Sequence, residues 1–199
     1  MNHREKRQFL IQALLKERPE YRDMRIPTEP ESQRQLLRGL MNIRAPQRTD
    51  AEFLKTQDAY LQGETAAKGI TDIAGLTPIQ PGLYLWQGDI TTLKCDAIVN
   101  AANSGMTGCY IPNHRCIDNA IHTYAGVELR LACAELMEQQ GHPEPTGQAK
   151  ITPAFNLPCR YVLHTVGPII DGRVTKEDKE LLASCYRSCL ELAAENGLE

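Results

Sequence analysis

The 199-residue sequence contains no apolar run near the roughly 20 residues that a bilayer-spanning helix needs. Long runs of one charge sign are also missing; the net charge is −3 and the pI about 6.0. That balance argues against non-specific affinity for nucleic acid or an anionic membrane surface. The amino terminus, MNHREKRQFLIQALLKERPE, has no unbroken apolar region and no small-residue cleavage site, so it does not read as a secretory leader. No internal repeat, collagen-like period or low-complexity segment occurs. Several catalytic signatures are missing too. There is no GxxxxGK[ST] loop, no GxGxxG, no G-x-S-x-G, and no H-x-E followed by P-C-x-x-C. Cysteine is plentiful but odd in number: Cys95, Cys109, Cys116, Cys133, Cys159, Cys185 and Cys189. With no leader, seven cysteines imply a reducing, cytoplasmic compartment.

The first 80 residues predict helices separated by Pro-containing turns. Phe9, Leu10, Ala13 and Leu14 form one apolar face that stops before Pro19, and Leu36, Leu37, Leu40 and Met41 another that stops before Pro46. Asp50 caps a third helix carrying Phe53, Leu54, Gln57 and Leu61, expected to end near Gly63. None of these helices gathers catalytic residue types, so they predict a helical extension. From Pro78 the pattern changes to strands at Leu83–Trp86, Asp96–Asn100, Gln148–Pro153 and Tyr161–Val166. Helices are predicted over 115–125 and 127–140, and from Thr175 with Leu181, Leu182, Cys185, Tyr186, Cys189, Leu190 and Ala193 on one face. This alternation predicts an α/β sandwich over residues 81–199 with a parallel or mixed sheet. The chain stops after a helix, where the next strand is due, which implies that the carboxyl-terminal part of the fold is missing from this sequence.

The richest stretch is Gly108-Cys109-Tyr-Ile-Pro-Asn-His114-Arg-Cys116-Ile-Asp118-Asn-Ala-Ile-His122. Cys109, His114 and Cys116 supply the soft and borderline donors that suit zinc. Three ligands would leave a fourth position open, as in a catalytic site. A single Cys-x4-His-x-Cys, taken alone, leaves zinc and an unliganded loop equally open. Cys116 sits near a helix start, where the dipole favours a thiolate. Asp118 and His122, four apart, share a helix face and suit acid–base work, although spacing alone favours a surface pair. Asn100-Ala-Ala-Asn103-Ser-Gly105 follows a strand at the edge where open α/β sheets take ligands, but it also suits a simple turn. His164 reads as a core histidine, and His3 and His142 as solvent-facing. Cys133, Cys185 and Cys189 read as core residues.

Taken together the motifs resemble the macrodomain family of ADP-ribose-binding α/β/α modules. They are Gly88-Asp89-Ile90-Thr91, Asp96-Ala97-Ile98-Val99-Asn100-Ala-Ala-Asn103, Asp118-Asn-Ala-Ile-His122 with Ala125-Gly126, and His164-Thr165-Val166-Gly167-Pro168. The resemblance covers about residues 82–199. A longer Cys109–Cys116 segment stands where most macrodomains carry a glycine run, as in the zinc-containing members that hydrolyse ADP-ribose from proteins. The extension over 1–80 fits that subfamily. The resemblance thus implies a three-layer α/β/α fold with a mixed sheet, and one zinc per chain on Cys109, His114 and Cys116. Asp89 and the Ile90 backbone would take the adenine, Asn103 the distal ribose, and the segment Cys116, Ile117, Asp118 and Asn119 the pyrophosphate. Asp118 would activate water, supported by His122. The implied partners are ADP-ribose and mono-ADP-ribosylated protein, with no nucleic acid and no membrane. A second phosphate loop of the family would lie beyond the last residue. The alternatives are an ADP-ribose reader without hydrolysis, and a structural zinc module that binds no ADP-ribose.

Overall fold

The computed structural model describes residues 1–21 and 23–199. Three helices come first: α1 (His3–Lys16), α2 (Pro30–Ile43) and α3 (Ala51–Lys68). Each start has a local cause. Asn2 and Glu5 form a capping box, Pro30 occupies the first turn of α2, and the Asp50 carboxylate accepts from the Phe53 N–H at 2.7 Å. The three helices bury Leu10, Ile11, Leu14, Leu37, Leu40, Phe53, Tyr60 and Leu61 in one cluster, which Val127 joins from later in the chain. Helix α3 runs past Gly63, the stop expected from sequence, to Gly69 at φ +87°. Gly63 stays helical because the loss relative to alanine is only about 1 kcal/mol and Thr65 beyond it is still buried against the protein.

Short strands β1 (Thr71–Asp72) and β2 (Leu93–Lys94) pair in parallel. Between them the Leu83–Trp86 run is not a strand. It makes one isolated bridge, Gln80 with Leu83, and Leu83, Tyr84 and Leu85 are exposed. β-propensity without a ladder partner or a covering face does not hold a strand. The main sheet has the order β3 (Ala97–Ala102), β5 (Tyr161–Val166), β4 (Ala149–Pro153), with β3 parallel and β4 antiparallel to β5.

Helices α4 (Ile117–Ala125) and α5 (Val127–Gln140) cover one sheet face, where Ile98, Val162, Ile121, Ala125, Leu129 and Cys133 form the second core. Gly126, at φ +99°, separates them. The Gln57 side chain of α3 closes on it and accepts from the Val127 N–H at 2.8 Å, so the extension caps α5. Helix α6 (Lys176–Glu195) opens on a Thr175–Asp178 capping box and lies against β4 and β5. Of its predicted apolar face only Cys185 and Cys189 are buried; Leu182, Tyr186 and Leu190 are exposed, because the narrow three-stranded sheet reaches only part of the helix. No helix among the described residues is long and apolar enough to cross a membrane.

Candidate functional site

Strand β3 ends at Ala102, and Asn103 follows at the rim of the sheet. The loop from there to α4 brings Cys109, His114 and Cys116 together, with one ligand atom from each lying within 4.8 Å of the others. Cys109 Sγ and His114 Nδ1 are 3.6 Å apart. Metal–sulfur and metal–nitrogen bonds of about 2.3 and 2.0–2.1 Å at a tetrahedral angle span about 3.6 Å, so this pair has the spacing of a shared ion. Cys116 is the N-cap of α4, and its Sγ accepts from the Asn119 N–H at 3.4 Å. Burial and the neighbouring Cys109 push its thiol up, outweighing the Asn119 N–H. A cation at the site would reverse that direction, since coordinated thiols lose their proton.

In the first turn of α4, Asp118 is buried and takes one amide donor on each oxygen. Asn100 Nδ2 donates to Oδ1 at 2.8 Å, and Asn103 Nδ2 donates to Oδ2 at 3.3 Å. Burial pushes the Asp118 carboxyl up, while the Asn100 donor, the Arg130 charge and the Asn103 donor hold it down; the net direction is up. The Asn100 amide is fixed from behind. Its second N–H donates to His164 Nδ1 at 3.1 Å, and His164 Nε2 lies 2.9 Å from Thr152 Oγ1. Burial lowers His164 to about 4, so it is neutral at pH 7; with the Asn100 N–H facing Nδ1, its proton is assigned to Nε2, toward Thr152. A turned Asn100 amide would set its oxygen against two acceptors, Asp118 and His164. Asp118 and His164 Nδ1 together therefore select one amide orientation.

His122 lies on the Asp118 face of α4, with Nε2 3.5 Å from Asp118 Oδ1. Burial, His164 and Arg130 lower its pKa well below the ordinary range, so the pair is not an ion pair. Contrary to the surface pair that spacing alone favours, both side chains are buried, because α4 packs this face onto β3. Gly108, at φ +83°, lies against the ring, where a Cβ would stand 2.8 Å from His122 Cγ. Among the described residues both ring nitrogens and Arg130 Nε find no hydrogen-bond partner, and His122 and Arg130 help to line a cavity of about 10 Å³, room for one water.

Asp89 is apart from this group, at a short 3-10 turn after β1. Its Oδ1 accepts from the Thr91 N–H and hydroxyl at 3.0 and 2.6 Å, and its Oδ2 takes Lys68 of α3 at 2.9 Å. Burial raises its carboxyl, but Thr91 and Lys68 outweigh it and the net direction is down. Lys68 also lies 3.4 Å from the Tyr124 ring centroid.

Sequence reasoning missed Lys68, Arg38 and Asn42 as neighbours of the site, and Arg130, whose Nη1 donates to the Asn42 and Arg44 carbonyls at 2.6 Å. Only Arg130 left a trace, as a charge beside the apolar stripe of α5. The others act across 21 to 81 residues of chain, where no spacing rule reaches.

The Macro domain family model matches residues 99–199. A Treponema medium protein named protein-ADP-ribose hydrolase is 60% identical over 203 residues, covering 100% of this chain and 78% of its own. A Staphylococcus aureus (strain MSSA476) protein of the same name is 48% identical over 193 residues, covering 96% and 72%. Among solved structures, the Trypanosoma brucei macrodomain in complex with ADP superposes at TM-score 0.56 with 30% identity, over 83% of this chain and 71% of that one. The Oceanobacillus iheyensis macrodomain with ADP gives 0.51 with 44% identity, over 56% of this chain and 57% of that one. A mixed sheet ordered β3-β5-β4, a family match through its carboxyl-terminal half and 60% identity to a relative along its whole length place this chain in the macro domain family.

Proposed function

We propose that this protein hydrolyses the bond between ADP-ribose and a modified protein side chain, with one zinc ion held by Cys109, His114 and Cys116. The observation that carries the reading is Asp118: a buried carboxylate with an oriented donor on each oxygen, two residues from Cys116. The names of the relatives from Treponema medium and Staphylococcus aureus support the activity. The donor set and the 3.6 Å Cys109–His114 spacing support the metal.

In this reading Asp89 accepts from the adenine amino group through Oδ2, beside the Ile90 backbone. The segment from Cys116 to Asn119 lies along the pyrophosphate with the N–H groups at the α4 start facing it, except that of Asn119, which Cys116 Sγ takes. Asn103 contacts the distal ribose. Asp118 takes a proton from a water that attacks the anomeric carbon of that ribose. The bond from that carbon to the protein side chain breaks, and its electron pair leaves with the side chain, which gains a proton. A carboxyl raised by burial is better matched to this task near neutral pH than an exposed one. His122, neutral and packed on Gly108, supports Asp118 from the same face of α4. When bound, zinc would polarise the ribose or an attacking water as a Lewis acid.

The same proposal treats residues 1–80 as a helical extension to a macrodomain over 81–199. It also places the protein in the cytoplasm, where Cys109 and Cys116, both free thiols here, stay reduced. Incubation with a mono-ADP-ribosylated protein tests the activity. Wild type should release free ADP-ribose, and Asp118→Ala should lose about 10²–10⁴-fold in turnover while still binding ADP-ribose. Binding without release by wild type would make the protein a reader. Neither binding nor release would overturn both readings.

A further inference from the structure

The loop from Asn103 to Cys116 is irregular, yet side chains from a distant helix hold its last part. Arg38 of α2 donates through Nη2 to the His114 carbonyl at 3.0 Å, and through Nε and Nη2 to Asn119 Oδ1 at 3.2 and 2.8 Å. Asn42, one turn on and on the same face, accepts from the Asn113 N–H at 2.9 Å and donates to Thr123 Oγ1 at 2.9 Å. Asn119 closes the frame by donating to the Ile111 carbonyl at 3.0 Å. Gly39, between the two, admits the loop: a Cβ there would stand 3.3 Å from Asn113 Nδ2 and 3.7 Å from Pro112 Cβ. Asn113 itself is held at φ +56°, a left-handed conformation that asparagine tolerates and that the Asn42 bond stabilises.

We infer that α2 is a positioning element for the metal-binding loop. Arg38 and Asn42 hold the backbone on both sides of His114, so that its imidazole meets Cys109 and Cys116 at one point. The inference rests on the zinc reading above and gives the amino-terminal helices a part in the site. Closing a loop of three ligands around an ion costs backbone conformational entropy for each residue ordered. Bonds that fix Asn113 and His114 beforehand remove part of that cost. Partners behind the ligands of known metal sites typically change metal affinity by about 10–100-fold when removed.

Arg38→Met tests this without emptying the core, because Arg38 is half-buried and methionine keeps most of its stem. Zinc transfer to a competing chelator should be about 10–100-fold faster from Arg38→Met than from wild type. In zinc-free protein, amide hydrogen exchange should accelerate over residues 111–115 while β5 and α5 exchange as in wild type. Arg34→Met, one turn earlier and paired with the exposed Glu31, should leave both readouts unchanged. Asn42→Ala should expose the Asn113 amide to exchange, but Asn42 is buried, so Arg38→Met is the decisive variant. Unaltered zinc release and unaltered loop exchange in Arg38→Met would overturn the inference, as would acceleration spread over the whole molecule. Wild-type protein that holds no zinc would instead remove the metal reading on which the inference stands.

Discussion

Replacing Asn100 by leucine, which has nearly the same volume, tests the buried polar chain behind Asp118. Asn100 is fully buried, so the change acts where water cannot compensate. It removes the 2.8 Å donor to a carboxylate oxygen, worth about 1.5–3 kcal/mol when the acceptor is charged. His164 Nδ1 also loses its donor, leaving an unpaired buried acceptor at about 1–3 kcal/mol. One gain opposes these losses: Asn100 Oδ1 is itself buried and unpaired, and its removal relieves a penalty of about 1–3 kcal/mol. The net expectation is a loss of about 2–3 kcal/mol at pH 7, read by equilibrium urea unfolding as a midpoint lowered by about 1 M. The pH dependence separates this account from a generic packing defect. The Asp118 carboxyl is raised in the folded protein, so wild-type stability falls as pH rises from the ordinary carboxylate value through the folded one. Asn100→Leu removes a donor that favours the ionised form, raising the folded value further. The gap between variant and wild type should therefore be small in acid and widen as Asp118 ionises. A gap that stays constant with pH, or is below about 1 kcal/mol at neutrality, would refute the assignment of Asn100 as the donor that holds this charge.

Gly108→Ala should unfold the protein more readily by several kcal/mol and cut turnover sharply. The added Cβ meets the His122 ring at 2.8 Å, at a φ of +83° that alanine resists; wild-type thermal stability in this variant would contradict the packing described. Asp89→Ala should weaken ADP-ribose binding by about tenfold or more, read by calorimetry, with zinc content unchanged. An unaltered dissociation constant would remove Asp89 from the adenine site. The loss is expected to exceed that of Lys68→Met, because lysine only steadies Oδ2 while Asp89 supplies it.

The elements that could be read from sequence are those whose cause is local. Helix α5 runs from Val127 to Gln140 as its apolar stripe predicts, and β5 spans Tyr161–Val166. Asp50 and Thr175 cap where their spacing to the next turn says they must. Leu83–Trp86 failed for the converse reason. Its composition suits a strand, but strand formation needs a neighbour, and composition carries no information about whether one is present. The exposed face of α6 has the same origin: periodicity specifies which side chains share a face, not how much sheet lies beneath them.

The site divides along the same line. Cys109, His114, Cys116, Asp118 and His122 lie within fourteen residues, and proximity in sequence made their proximity in space legible. What orients them does not lie there. Asp118 is aimed by Asn100 and Asn103 from the end of β3, and Asn100 by His164 from β5, through a parallel register that pairs Asn100 with His164 directly. Parallel neighbours on one sheet face are 64 residues apart in this chain, so the relay exists only once the crossover through α4 and α5 has been made. His164 was expected as a core histidine. It is one, and its burial has a consequence for the site: at about 4 it stays neutral, so Nδ1 can accept the Asn100 N–H that faces it. A charged imidazole at the same position would carry a proton on Nδ1 and oppose the Asn100 N–H that it now accepts. The core position of His164 and its part in the site are therefore one physical fact, because the desolvation that makes it core also keeps it neutral, and a neutral ring can accept from the amide that holds Asp118.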